Sequence, residues 1–256
     1  MSAEAIIKAQ ARDTLKGNYI RAVSALLIVL LPFFIIDGTT TVLSVILSKA
    51  TSDLTLTNIL VYSIGYPVEI IGFFLFSPVI NGYIRAYYRA SYTKDMDMSD
   101  VFFYFSKGRY GYALALNTQY IIRMFFPALL FYLPLLLYII VFNNINADFT
   151  ESVLYYDIYF LLSVLGTGLT IIFSLRYLTA FTITVENDTI APNQAFEYAR
   201  QIRRNSQGSP AKLFLSFIPW MLLCLLILPM LYVIPYITQS LCISAKWKTK
   251  ATFEVN

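Results

Sequence analysis

The chain predicts an all-α polytopic membrane protein with about six membrane helices, arranged as three hairpins with interfacial amphipathic helices beside them. Three observations lead there. Of its 256 residues, 58% are hydrophobic, 16% aromatic and only 13% charged, and the mean hydropathy is +0.64; a soluble domain carries about 25% charged residues. The apolar residues come in runs as long as the roughly 20 helical residues that a hydrocarbon core of about 30 Å requires. Sixteen of the nineteen Lys and Arg fall in four short polar segments between those runs, the pattern that holds basic loops on the cytoplasmic side. Residues 1–256 read as a single integral membrane domain, because no hydrophilic stretch is long enough for another.

Residues 1–21 alternate polar and apolar side chains and carry Lys8, Arg12, Lys16 and Arg21. The run that follows is longer than a signal-peptide core, so a retained first span is expected over 22–47. Residues 48–57, with only Lys49 and Asp53, form an outer loop before the second run, 58–83. Residues 84–112 hold Arg85, Arg89, Lys94, Lys107 and Arg109 and therefore face inward. The third run, 113–142, leads to 143–152, where Asp148 and Glu151 stand without a basic residue, as an outer loop should. The fourth run, 153–185, returns to an inner segment with Arg200, Arg203, Arg204 and Lys212. Residues 213–245, punctuated by Pro219, Pro229 and Pro235, fit either one bent span or a tight hairpin. The terminal cluster Lys246, Lys248 and Lys250 favours a hairpin broken near Leu228-Pro229-Met230, with both termini cytoplasmic. Its two helices would be short, and partial penetration fits them as well.

The inner segments repeat a plan in which an amphipathic stretch reaches a Gly and then enters the membrane. The three copies are Leu15-Lys16-Gly17-Asn18-Tyr19, Ser106-Lys107-Gly108-Arg109-Tyr110 and Ser206-Gln207-Gly208-Ser209-Pro210. Gly suits the left-handed residue that ends a helix. Asp100-Val101-Phe102-Phe103-Tyr104-Phe105 and residues 195–204 read as helices lying in the inner interface, or docking a cytoplasmic partner.

Composition also weighs against enzyme classes. There is no His, which removes the commonest metal ligand and the side chain best suited to proton transfer near neutral pH. The two cysteines, Cys224 and Cys242, lie in or beside apolar runs and suggest core packing, with no disulfide or thiolate metal site. No serine-hydrolase elbow, zinc-protease helix or phosphate loop occurs, and Tyr156-Asp157 lacks the second aspartate of an intramembrane protease. No catalytic residue, metal or cofactor is expected. The net charge of +4 is spread over membrane-flanking segments, so membrane lipids, with a membrane or cytoplasmic protein, are the expected partners, and nucleic acid is not.

Ionisable residues within hydrocarbon are costly and mark function by default. Three qualify: Glu69, Arg123 and Arg176. At about 1.5 Å of rise per residue, Glu69 lies roughly 16 Å from the outer surface and the arginines on the order of 14 to 18 Å from the inner one. They are expected to meet as an intramembrane polar cluster. Such a cluster either lines a cavity for an anionic substrate, a lipid phosphate or an ion, or fixes helix register as a buried pair, with Arg176 also able to snorkel.

Leu15-Lys16-Gly17-Asn18, residues 97–105, and Lys212-Leu213-Phe214-Leu215-Ser216-Phe217-Ile218-Pro219-Trp220 followed by Val233-Ile234-Pro235-Tyr236 carry a family likeness. Over nearly its whole length the chain resembles the uncharacterised bacterial integral-membrane family numbered 975 among domains of unknown function. It is also similar to the membrane portion fused to some glycerophosphodiester phosphodiesterases, without their catalytic barrel. The resemblance implies a multi-pass protein of the bacterial cell membrane and supplies no catalytic residue. The expected function is non-enzymatic: a scaffold, an accessory subunit or a lipid- or partner-binding protein. The alternative is a small transporter or channel-like carrier using Glu69, Arg123 and Arg176.

Overall fold

The computed structural model describes residues 2–50, 54–145, 153–205, 210–224 and 226–253, and every regular element among them is a helix. Helix α1 (Ala3–Leu15) starts at Ser2, whose hydroxyl accepts from the Ala5 N–H, and buries Ile7, Ala11, Thr14 and Leu15 along one face. The long helices are α2 (Tyr19–Ala50), α3 (Leu54–Thr93), α4 (Tyr110–Ile145) and α5 (Val153–Ser174). A 3-10 helix (Met98–Phe105) separates α3 from α4, and α6 (Leu178–Glu186) and α7 (Pro192–Asn205) follow α5. The chain closes with α8 (Pro210–Leu215), α9 (Ile218–Leu223) and α10 (Ile227–Phe253). Helix α2 packs on α3, and α4 on α5, as the first two hairpins.

Five stretches among the described residues are long and apolar enough to cross a membrane: Tyr19–Lys49, Ile59–Thr93, Tyr110–Val141, Leu154–Glu186 and Leu228–Lys250. These five stretches among the described residues accord with the about six expected, the last arm being the one that 213–245 left open. The first arm of the third hairpin is broken into α8 and α9, each of six residues. Six residues rise only about 9 Å, a third of the hydrocarbon core. Pro219, in the first turn of α9, has no N–H with which to continue α8, and the chain turns at Ser216-Phe217. The second break falls at Cys224 and Leu226, just before the expected Leu228-Pro229-Met230. Pro229 instead lies in the first turn of α10, where a missing N–H costs nothing.

The helices divide into an apolar end and a basic end. At the apolar end Leu31, Phe34, Ile71, Phe126, Leu130, Phe160 and Leu161 are all more than half exposed, as lipid-facing side chains can be, since acyl chains solvate them as well as protein does. At the basic end Ala22, Tyr87, Tyr88, Met96, Val101, Phe217, Val233 and Cys242 are at most 1% exposed. This inner layer exists because the helices overrun the bilayer. With 40 residues, α3 is about 60 Å long, twice a hydrocarbon core, and its second half is clasped by α1, α10 and the 3-10 helix.

The termini meet in the same layer. Tyr236 donates to the Lys8 carbonyl (3.3 Å), Trp247 Nε1 to Gln10 Oε1 (3.2 Å) and Lys246 Nζ to the Ser91 carbonyl (2.6 Å). Lys8 donates to the Ser216 carbonyl at 3.0 Å and lies 4.2 Å from the Phe217 ring, and its desolvation there pushes the ammonium pKa down. Gly17 (φ +91°) and Gly108 (φ +84°) take up the left-handed turns expected of the repeated plan; the third copy, Gly208, lies outside the described residues. Beyond Gly17, the buried Asn18 side chain donates to the Thr14 and Lys94 carbonyls (3.0 and 2.7 Å) and accepts from the Met96 N–H (3.2 Å).

The 3-10 helix is docked by one face, with Asp100, Val101 and Tyr104 buried, while Phe102 and Phe105 stand exposed on the other. Asp100 Oδ1 accepts from Arg85 Nε (3.0 Å) and Arg89 Nη1 (2.7 Å), the Arg85 and Asp100 side chains being 10% and 4% exposed. The Arg85 guanidinium also sits 3.4 Å from the centroid of the Phe103 ring. Arg85, read above as an orienting charge, is a buried structural one. The docking is possible because Gly82 has no Cβ: one placed there would run into the Val101 carbonyl.

Asp100→Asn is expected to cost about 3–5 kcal/mol by stranding the Arg85 guanidinium, read as a lowered melting temperature in detergent. Replacing both members by apolar residues (Arg85→Met with Asp100→Leu) should recover most of that loss, and an unchanged melt for Asp100→Asn would show that the pair does not hold the layer together.

Candidate functional site

Where α5 ends, residues 175–177 tighten into a turn: the Arg176 N–H donates to the Phe173 carbonyl (3.2 Å) and the Tyr177 N–H to Ser174 (2.9 Å), each three residues back. Helix α5 alone, with 22 residues, is about 33 Å long and already crosses a bilayer. Arg176 stands in the turn that ends α5, within the apolar stretch Leu154–Glu186. Helix α6 completes that stretch with Ala180, Phe181, Thr182, Ile183 and Thr184 buried against protein.

Arg123 lies at the matching level of α4, where the exposed apolar stretch containing Phe125, Phe126 and Leu130 begins. Its guanidinium donates to the Gln119 carbonyl (3.2 Å), to Gln119 Oε1 and to Asn193 Oδ1 (2.5 Å), and lies 4.6 Å from the Phe196 ring centroid. Helix α7 supplies Phe196 because Ala195, Phe196, Ala199 and Ile202 form its buried face. That packing turns Arg200 and Arg203 toward the same recess.

The recess has two lobes. One, of about 200 Å³, is lined by Arg123, Arg176, Arg200 and Arg203 with the rings of Phe173, Tyr177 and Phe196. The other, of about 390 Å³, is lined by Arg176, Arg203 and Lys248 with Ile172, Leu175 and Thr179. Among the described lining residues the only carboxylate is Glu197, which lies 3.9 Å from Arg200 with both side chains more than half exposed; such a pair neutralises little. Among the described lining residues the recess thus presents four arginines to one acid, and guanidinium groups suit phosphate and carboxylate oxygens by their planar fork of donors.

Glu69 is not part of this arrangement. It lines neither lobe and forms no ion pair or hydrogen bond among the described residues. It stands exposed near the middle of the lipid-facing stretch of α3 that runs between Ile59 and Phe76. Of the expected cluster, the two arginines line one recess and the glutamate stands apart from it, exposed on α3. The reading missed Arg200, Arg203 and Lys248. The first two carry a signal, spacing of three on one helical face beside Ile202; nothing local ties Lys248 to them.

The profile of one protein family matches residues 1–244 of the 256. The chain belongs to that family, described as a protein of unknown function (DUF975). No curated protein and no solved structure matches it. The motifs that carried the family resemblance map onto the inner layer of this DUF975 chain: Gly17-Asn18 at the α1 turn, residues 97–105 at the 3-10 helix, Phe217 and Tyr236 in ring contact at 5.1 Å.

If these cations are held for a ligand, crowding them costs stability when it is absent. Arg176→Gln is therefore expected to leave unchanged or raise the melting temperature of delipidated DUF975 protein, by up to about 0.5 kcal/mol in stability terms, whereas an Arg176 that serves only structure would lower it.

Proposed function

We propose that this chain is a non-enzymatic multi-pass protein of the bacterial cytoplasmic membrane that binds anionic lipid headgroups at the two-lobed recess, and through them serves as a scaffold or accessory subunit for membrane partners. The supporting observation is the charge of the recess: among the described lining residues, Arg123, Arg176, Arg200 and Arg203 stand against the one carboxylate of Glu197. The cations lie where the exposed apolar stretches of α4 and α5 end, which is the depth of headgroup phosphates. Basic residues at that end of every long helix support placing it, with both termini, on the cytoplasmic side. The carrier reading required Glu69 to meet the arginines within the membrane, and Glu69 lines neither lobe.

Lipids retained on purification are the direct test. Native mass spectrometry of the detergent-extracted protein should show bound anionic phospholipid, and Arg176→Gln with Arg203→Gln should reduce its occupancy on the order of tenfold. Occupancy that is equal for phosphatidylcholine and anionic lipid, or unaltered by the double substitution, would remove the proposal.

A further inference from the structure

A separate cavity, sharing no lining residue with the recess, lies where the ends of α3 and α10 meet the second half of α1. It holds about 500 Å³, and Lys94, Lys246 and Lys250 line it together with Tyr92, Trp247 and Asp13. Among its described lining residues Asp13 is the one carboxylate.

The lysines are held there against local preference. Lys94 follows the last turn of α3 with φ at +57°, the only non-glycine residue among those described with a positive φ. Its N–H closes the helix on the Ala90 carbonyl (2.9 Å), a position where Gly makes the same turn more cheaply. Backbone strain of this kind collects at binding sites. Lys246 and Lys250 stand one turn apart on α10, and their ammonium groups lie 3.6 and 5.7 Å from the same Tyr92 ring centroid. Like charges at that spacing destabilise a helix. Lys246 is fixed by the Ser91 carbonyl (2.6 Å) and has further donors to offer. Lys94 and Lys250 form no ion pair among the described residues. Glu186 accepts from the Tyr88 and Tyr92 hydroxyls and does not line the cavity.

The remaining lining suits a planar, polar body attached to an anion. The Trp247 indole is pinned by Nε1 donating to Gln10 Oε1 (3.2 Å), and a fixed aromatic ring is a stacking platform for a nucleobase. Asp13, in no ion pair among the described residues, supplies an acceptor for sugar hydroxyls or an exocyclic amine. Position selects a soluble ligand: Ser91 lies about 23 Å along α3 beyond Phe76, where the lipid-facing stretch ends.

We infer that this cavity binds a soluble nucleotide, its phosphates on Lys94, Lys246 and Lys250, its base on Trp247 and its sugar or amino groups on Asp13. The site is independent of the anionic-lipid reading above.

The chain has two tryptophans, so full-length Trp220→Phe protein in phosphatidylcholine nanodiscs leaves Trp247 as the sole indole. Its fluorescence, with calorimetry beside it, is followed on adding ATP, ADP, GTP, adenosine or inorganic diphosphate. At least one nucleotide should bind saturably and quench Trp247, with adenosine and inorganic diphosphate each on the order of tenfold or more weaker, since each supplies half the contacts. Lys94→Gly should weaken nucleotide binding about tenfold while leaving unchanged or raising the melting temperature, because glycine adopts the turn without strain. Arg176→Gln with Arg203→Gln should leave nucleotide affinity within about twofold, as expected of a distant site. Absence of saturable nucleotide binding by both methods overturns the inference, as does inorganic diphosphate binding as tightly as the nucleotides. Unaltered affinity in Lys94→Gly overturns the assigned site, and displacement of nucleotide by phosphatidylglycerol doped into the nanodiscs overturns the assignment to a soluble ligand.

Discussion

Arg85 enters the inner layer on the second half of α3 and is met there by Asp100 of the 3-10 helix, with Asp188, between α6 and α7, 3.5 Å from its other side. Three chain segments, two of them 15 residues apart and the third 103 residues from the first, converge on one guanidinium. Burial of such a group is tolerated only when its charge and donors are all answered, so the position of the 3-10 helix, the register of α3 against it and the turn at 187–191 are set together. Gly82, one turn before Arg85, permits the approach, and Asn18 ties the α1 turn to the backbone leaving α3. Remove the ion pair and the constraint that holds these parts in one arrangement goes with it.

The contrast with the apolar end is physical. Lipid supplies no hydrophobic drive to press helices together, and there α2 packs on α3 and α4 on α5, with Gly72 letting Ile36 of α2 approach α3 closely. At the basic end, polar surroundings restore that drive, and the same helices continue into a layer with Tyr87, Tyr88 and Phe217 in its core. Specific structure is thus concentrated at one membrane face. The candidate site lies on the rim of that layer, with rigid parts beneath and lipid alongside.

Much of this was legible in the sequence, and the failures share a cause. Apolar runs located α2 to α5 and α10 because lipid demands them, and Gly17 and Gly108 marked turns because few other residues adopt a positive φ cheaply. Run length, however, records apolarity and not what the apolar side chain faces. Residues 178–186 read as part of one apolar run, yet they form a separate helix buried against protein, with Arg176 in the turn before it. The same ambiguity made the broken α8 and α9 look like a span. Basic residues posed the complementary difficulty: one pattern satisfies topology, so it concealed that Arg85 is buried and that Arg200 and Arg203 face Arg123 across a recess. Glu69 was identified by composition alone, and only three-dimensional placement separates it from the arginines.

The docking of α1 against α10 carries a consequence for biosynthesis. Helix α1 leaves the ribosome well ahead of Tyr236 and Trp247, which hold it from 228 and 237 residues further along the chain. At about 5–20 residues per second, its seat is completed on the order of ten seconds or more after α1 itself emerges. Throughout that interval an amphipathic helix waits with Ile7, Ala11 and Leu15 uncovered, and the inner layer closes only once α10 has been made.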